Sequence, residues 1–248
     1  MLADPADQLR LLDLAALDLQ IHQLEHRRKT LPELAKLQEL MVERAAILER
    51  QVAFETALSD AQEEQARVEK DLDPARDRLA RNQKRVEDGS IADPKALRGM
   101  NQESEHREGR IAKLEDADME AMQVVEDATR DRDTLIAQRS EIEDRIRVLM
   151  AKRDSQFTDL DAEIGERRDE RSAHSRLLPS DLVTLYDRLS GRMGVGAAEL
   201  KARRCTGCQL EANLADLRRY ASAKPNQVLR CEECDRILVR TKESGLPE

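Results

Sequence analysis

Leu58-Ser-Asp-Ala61-Gln-Glu-Glu-Gln65-Ala-Arg-Val68-Glu-Lys-Asp-Leu72-Asp-Pro-Ala75-Arg-Asp-Arg-Leu79-Ala-Arg-Asn82-Gln-Lys-Arg-Val86 decides the fold. The numbered positions recur in alternating steps of three and four. That period keeps one seam of a helix turned toward a partner helix and predicts a left-handed coiled coil. Pro74 falls inside the stretch, where a local bend is expected. Downstream a second seam reads Ile111, Leu114, Asp118, Ala121, Val125, Ala128, Arg132, Leu135, Arg139, Ile142, Ile146, Leu149, Arg153, Gln156, Leu160. Five of its fifteen positions are polar, so this seam is weaker than a zipper.

The punctuation between the seams sets the arms. Asp4-Pro5 opens a first helix, with Asp4 as N-cap and Pro5 at the first helical position. Leu9, Leu12, Ala16 and Leu19 recur along it at helical spacing. Thr30-Leu-Pro32-Glu33 reads as a capping box, so a break near residue 30 and a fresh helix are expected. Glu87-Asp-Gly-Ser90 is a turn, and Asp93-Pro94 reopens a helix that ends near Arg171-Ser172. The arms on the two sides of the turn match in length, each roughly 120 Å at 1.5 Å per residue. Equal arms joined by a short turn favour antiparallel pairing within one chain. Asp88 and Asp93 lie at the hairpin tip as turn and cap residues; the sharper reading makes them an acidic tip that enters a partner's channel.

Composition agrees. Of 248 residues, 38% are charged and 2% aromatic, with no Trp. Long helices burying a narrow seam suit such a chain better than a globular core does. The expected fold is therefore mostly α: a coiled-coil helical hairpin over residues 1–175, then a separate module over 176–248.

That module carries all four cysteines, as Cys205-Thr-Gly-Cys208 and Cys231-Glu-Glu-Cys234, with 22 residues between the pairs. Each two-residue gap lets both thiolates of a pair wrap one side of an ion. Two such pairs can close a tetrahedron of sulfur around one structural Zn²⁺. Iron fits the same four sulfurs. With four thiolates no coordination position stays open, so hydrolytic zinc chemistry is not expected. Gly207 leaves the first knuckle free to turn its amides toward sulfur, and Asp235 follows the second as a residue type that tolerates left-handed backbone. Around the knuckles Val195–Arg203, Val228–Arg230 and Ile237–Arg240 read as short strands, and Asn213 as the cap of a helix over Leu214–Ala221. Before them Leu178-Pro-Ser180 starts a short helix capped by Ser180. Its Leu182, Tyr186 and Leu189 share one face and are assigned to the joint between stalk and ribbon.

Charge separates the two parts. The chain carries a formal −9, yet residues 201–242 hold ten basic and five acidic side chains, a net of +5. A basic head on an acidic stalk points to an anionic partner for the head. Arg203, Arg204, Arg218, Arg219, Lys224, Arg230, Arg236 and Arg240 are the candidate contacts to RNA or DNA. Tyr220 is the ribbon's one aromatic residue, so binding would rest on phosphates and be salt-sensitive. The bland alternative is a solvated face that balances the thiolates.

Other chemistry finds no support. His22, His26, His106 and His174 are scattered among charged helical runs. No nucleophile–base pair and no phosphate-binding glycine loop stands out, so no enzymatic activity is expected. Met1-Leu-Ala-Asp-Pro-Ala-Asp is unlike a secretory signal, and no run is long enough to cross a membrane. A cytoplasmic protein with reduced thiols is expected, as monomer or homodimer.

Two stretches carry a resemblance: Leu178-Pro-Ser-Asp-Leu-Val-Thr-Leu-Tyr186-Asp-Arg-Leu189, and the two Cys pairs with Leu229-Arg-Cys231-Glu-Glu-Cys234-Asp-Arg236-Ile-Leu. The chain resembles bacterial coiled-coil hairpin proteins that end in a C4-type zinc ribbon. Their pattern closes on Cys-x-x-Cys-Gly-Arg-Ile-Leu-Tyr; here Asp235 stands for the Gly and Val239 for the Tyr. The resemblance implies a nucleic-acid-binding protein or adaptor without enzymatic activity; the expected function is a zinc-ribbon adaptor whose basic ribbon contacts RNA or DNA phosphates and whose stalk contacts a protein partner. The alternative is a protein-only adaptor or spacer that works on the transcription machinery through the stalk or its acidic tip.

Overall fold

A computed structural model describes residues 1–246. Five helices and four short strands follow in the order α1 (Pro5–Lys29), α2 (Pro32–Glu87), α3 (Pro94–Ser175), α4 (Ser180–Met193), β1 (Ala197–Lys201), β2 (Arg204–Cys205), α5 (Leu214–Ser222), β3 (Leu229–Arg230) and β4 (Ile237–Arg240). The chain packs as two compact units: Met1–Leu34 with Met150–Glu248, and Ala35–Leu149.

In the Ala35–Leu149 unit α2 and α3 form an antiparallel hairpin. Cross-helix pairs run in opposite chain directions: Arg44–Glu143 and Gln51–Arg139 at one end, Arg76–Glu115 and Gln83–Glu108 at the other. Every position of the α2 seam from Leu58 to Val86 is buried or half-buried, and so is every position of the α3 seam from Ile111 to Leu160. Leu72, Leu135, Leu160 and Ile142 are its deepest points. Helix α2 continues through Pro74. At the tip Asp93 accepts the Lys95 and Ala96 amides and caps α3, while Asp88 accepts the Ser90 amide and hydroxyl.

In the other unit α1 lies along the far end of α3, tied by Arg28–Asp161, Arg168–Glu25 and Arg171–Asp18. Asp4 caps α1 as expected, accepting the Ala6 amide at 2.8 Å. The capping box at Thr30 does not form. The Thr30 hydroxyl donates backward to the His26 carbonyl at 2.9 Å and closes α1 instead. Glu33 turns inward, 4% exposed, to an ion pair with Lys152 at 2.7 Å. Thr30 ends α1 as its C-cap and α2 starts at Pro32, so Thr30 is not the residue directly before the helix that a capping box requires.

The buried face of α1 also differs from the Leu9–Leu12–Ala16–Leu19 stripe. Leu9 and Leu19 are about half exposed, whereas Gln8, Leu11, Leu14, Asp18 and Ile21 are buried. Two polar residues sit on that face because each finds partners there. The Gln8 amide donates to the Ala3 and Pro225 carbonyls, and Asp18 receives three donors described below.

The ribbon is a four-stranded sheet in the order β2-β1-β4-β3. β1 and β4 run parallel, Ala197 opposite Ile237 through Leu200 opposite Arg240; both outer pairs are antiparallel. The strand expected over Val195–Arg203 is shorter, Ala197–Lys201, and a second strand follows it at Arg204–Cys205. Ala202 and Arg203 both take positive φ, 46° and 65°, and turn the chain back into β2. Gly196 is needed for close approach: a Cβ there would lie 2.4 Å from the Tyr186 carbonyl oxygen. The N-terminus joins this sheet region, with the Ala3 amide donating to Asn226 O at 2.8 Å. Helix α4 starts at Ser180, which is its first turn and not its cap; Pro179 stands at the cap without a side-chain bond. Leu182, Tyr186 and Leu189 are 1%, 0% and 2% exposed and pack with Leu11, Leu14, Ile237 and Val239. Val239 therefore occupies a core position, where a smaller side chain changes packing and not the surface.

Candidate metal centre and ribbon surface

The two Cys knuckles are built alike. The residue after each second cysteine, Gln209 or Asp235, adopts left-handed φ, 63° or 62°. Its amide donates back to the first cysteine of its knuckle, Gln209 N to Cys205 O and Asp235 N to Cys231 O, both 2.8 Å. In return Cys205 N donates to Leu210 O and Cys231 N to Arg236 O, each at 3.0 Å. Both loops therefore curl inward on the same hydrogen-bond scaffold. Gly207 sits where space is short as well as where the backbone turns: a Cβ would lie 2.8 Å from Arg236 Cδ and 3.0 Å from Ala198 Cβ.

This brings all four sulfurs within 4.8 Å of one another. Cys205 and Cys234 lie 3.8 Å apart, and Cys208 and Cys231 3.9 Å. A disulfide needs about 2.05 Å. A tetrahedron with metal–sulfur bonds of about 2.3 Å has edges near 3.8 Å. The donor set thus fits one ion held by four thiolates, and the four cysteines could hold a metal.

The local electrostatics divide the ligands. Burial pushes the Cys205 and Cys231 thiols up, against the pull of nearby backbone amides: Gly207 and Cys208 for the first, Glu233 and Cys234 for the second. Burial also opposes the Cys234 thiolate, but the Arg236 amide and guanidinium outweigh it and hold that thiol below its usual range. A bound cation favours thiolate at every ligand and would overcome the burial of the other two.

The eight basic residues expected to face nucleic acid divide into two groups. Four are engaged within the ribbon. The Arg236 guanidinium donates to Val195 O and Met193 O, each at 2.9 Å. Arg240 donates to the carbonyls of Tyr220, Ala223, Lys224 and Pro225 at the end of α5. Arg230 binds Asp235 through its carbonyl and carboxylate, and Arg219 pairs with Asp216 and Glu232. The other four reach outward. Arg203 on the β1–β2 turn and Arg204 at the start of β2 are exposed, with a 3.2 Å bond from Arg203 to Gly245 O and a loose 3.8 Å approach of Arg204 to Glu211. Arg218 and Lys224 are exposed, and their side chains make no hydrogen bond or ion pair among the described residues.

Sequence reasoning missed the polar knot beneath the ribbon. Asp18 is 6% exposed and accepts from Arg171 Nε at 2.5 Å, Tyr186 Oη at 2.7 Å and Ser190 Oγ at 3.2 Å. Arg171 reaches on to Asp187 at 2.6 Å. Burial, then the Asp18 carboxylate, drives the Tyr186 hydroxyl far above its ordinary range, and the two carboxylates hold Arg171 charged despite its burial. The knot joins α1, α3 and α4. Its one sequence signal is an acid at the spacing of Leu11, Leu14 and Ile21.

Beside the first knuckle lies an open groove of about 660 Å³ walled by Leu12, Ala16 and Leu19 of α1 and by Val195, Ala198 and Gly207. Three of the four residues of the expected α1 stripe, Leu12, Ala16 and Leu19, form its wall on that helix. Among the described residues no helix is long and apolar enough to cross a membrane.

Comparison with known proteins agrees with this architecture. A model of the CT398-like coiled coil hairpin domain matches residues 14–194, and a family of unknown function, DUF6510, matches residues 190–245. The uncharacterized protein Rv2229c of Mycobacterium tuberculosis is 31% identical over 247 residues, covering 97% of this chain and 98% of that one. A structure from Mycobacterium smegmatis superposes with TM-score 0.87 at 29% identity, covering 97% of this chain and all of the other. CT398 from Chlamydia trachomatis shares the fold at TM-score 0.69 and 15% identity, over 95% and 98% of the two chains. With that match over residues 14–194, most of its length, the chain belongs to the CT398-like coiled-coil hairpin family.

Proposed function

We propose that this chain is a non-enzymatic adaptor in which one structural Zn²⁺, held by Cys205, Cys208, Cys231 and Cys234, fixes the ribbon as a nucleic-acid contact while the hairpin serves a protein partner. The observation that carries the reading is the four-sulfur cage, with all sulfurs within 4.8 Å and two separations of 3.8 and 3.9 Å, set among strands of two to five residues. Zinc there supplies a cross-link and no chemistry. Contact with phosphate falls to Arg203, Arg204, Arg218 and Lys224, the cations whose heads point to solvent. Arg219, Arg230, Arg236 and Arg240 shape the ribbon by holding its carbonyls and acids.

The test is a salt-titrated binding series with single-stranded RNA, single-stranded DNA and duplex DNA, with metal content measured on the same sample. One zinc per chain is expected. Replacing Arg203, Arg204, Arg218 and Lys224 together by Gln should weaken single-strand binding and make its log–log salt slope shallower by about 3. Binding that is unchanged in strength and slope would overturn the nucleic-acid arm.

A protein-only adaptor is the second reading. What favours it is the internal engagement of half of the ribbon's candidate cations, next to an apolar groove of the kind proteins use and phosphates do not. Partner capture that survives nuclease and the four Gln substitutions would select it.

A further inference from the structure

The middle of the stalk carries a surface that the seam does not use. Met119, Met122 and Val124 of α3 are 61%, 53% and 55% exposed. Two of them, with Val125, Glu126 and Gln65 of α2, line a groove of about 390 Å³. The groove opens beside two polar seam positions: Gln65 on α2, whose amide donates to Glu69, and Asp118 on α3, whose buried Oδ1 has no hydrogen-bond partner among the described residues. Unbranched, polarizable methionines at such a place suit a surface that repacks around a partner's side chains.

Charge selects the partner. From Glu115 to Asp127, α3 carries six acidic residues and no basic one. The facing stretch of α2, Glu63 to Asp73, carries five acidic and two basic residues. Glu115 is paired with Arg76, and Glu126 and Asp127 share Arg130. Asp116 and Glu120 make no ion pair among the described residues. Nucleic acid is repelled by this band, and so is the same band on a second copy. A shallow groove that sets Met119, Met122 and Val125 beside Gln65, Gln123 and Glu126, within an acidic band, matches an amphipathic helix with a cationic face, docked by helix-in-groove recognition.

We infer that the Met119–Met122 groove of the stalk is a docking site for a basic amphipathic helix of a partner protein. It rests on the adaptor reading only in taking the hairpin as the protein-facing arm. Zinc content and phosphate binding report on the ribbon alone, so failure here and failure there are separate results.

The probe is a synthetic amphipathic helix of Leu and Lys at helical spacing, titrated into the full chain by calorimetry, with a Leu/Glu helix of the same pattern as control. Saturable one-to-one binding of the Leu/Lys helix is expected, weakening with salt and at least about 10-fold poorer for the Met119→Ser/Met122→Ser chain. Because both methionines are exposed, that variant should keep its far-ultraviolet helix signal and its metal. Asp116→Lys/Glu120→Lys should weaken binding and reduce its salt dependence without touching the apolar floor. The proposal is overturned by equal affinity for the Ser variant, by equal binding of the Leu/Glu helix, or by no saturable binding of the Leu/Lys helix. A concentration-dependent dimer that the Ser variant abolishes would overturn it too, by giving the groove to a second copy.

Discussion

In the Ala35–Leu149 unit the deeply buried apolar residues are strung out along two helices: Leu37, Leu40, Ile47, Leu58, Leu72, Ile111, Leu135 and Ile142. In the ribbon-bearing unit they crowd together, Leu11, Leu14, Leu182, Tyr186, Leu189, Leu200, Ile237, Leu238 and Val239 all being at most 2% exposed. The ribbon proper adds a few strands of two to five residues and four sulfurs. A seam spreads its stabilisation over many similar small increments, and no single position decides it. The ribbon's strands are short, and a metal held by its four cysteines, as proposed above, would supply the cross-link that so small a segment needs. The stalk should therefore tolerate substitution where the ribbon fails outright.

The sharpest way to break that contrast is Cys231→Ser. Structural zinc in small modules contributes on the order of 10 kcal/mol of folding free energy, and removing one ligand forfeits much of it. Metal should be lost, and amides of β1, β3 and β4 should lose hydrogen-exchange protection. Most far-ultraviolet helix signal should remain, since α2 and α3 hold none of the ligands. Loss of stalk protection together with the ribbon would show that the two regions do not stand apart in stability.

Asp18→Ala comes next. It leaves the buried Tyr186 hydroxyl without its acceptor and takes one of two carboxylates from Arg171. Breaking such a buried pair costs about 3 kcal/mol. Chemical denaturation followed by Tyr signal should show the base unit unfolding earlier, with Asp18→Asn recovering part of the loss. A variant as stable as the parent would mean that solvent enters the knot and that α1, α3 and α4 are held by their apolar contacts alone.

The two regions also differ in how far the amino-acid order reveals them. The seam from Leu58 to Val86 was legible position by position, because a coiled coil is a local period repeated and each helix turn reports its own face. The Cys pairs were legible because a two-residue spacing encodes a shared ion within four residues of chain. What stayed hidden depends on partners far away in sequence. Thr30 reads as a forward cap, yet it closes α1 while Glu33 pairs with Lys152. Leu9 and Leu19 read as core until Gln8 and Asp18 find their donors and acceptors on the other face of α1. The ribbon arginines look alike on paper. Carbonyls contributed by Met193, Val195 and the end of α5 decide which of them turn inward. Net charge counts cations, and only the folded backbone says which are spent.

Asn82 gives the smallest effect and the one with reversed sign. It occupies a seam position of α2, is 8% exposed, and its Nδ2 has no hydrogen-bond partner among the described residues. A buried amide donor without a partner costs stability, while a polar residue at one core position of a coiled coil fixes register against alternatives. Asn82→Leu should therefore stabilise the tip half of the stalk by about 1 kcal/mol. Hydrogen exchange near Leu79 to Val86 should slow by about fivefold, the factor that energy corresponds to when exchange follows local opening. The ribbon should not respond, and metal content should be the same as in the parent. Faster exchange in the variant would mean that the amide is satisfied in solution and that register at the tip depends on it. Asn82 would then be a place where the stalk, too, leans on a single residue.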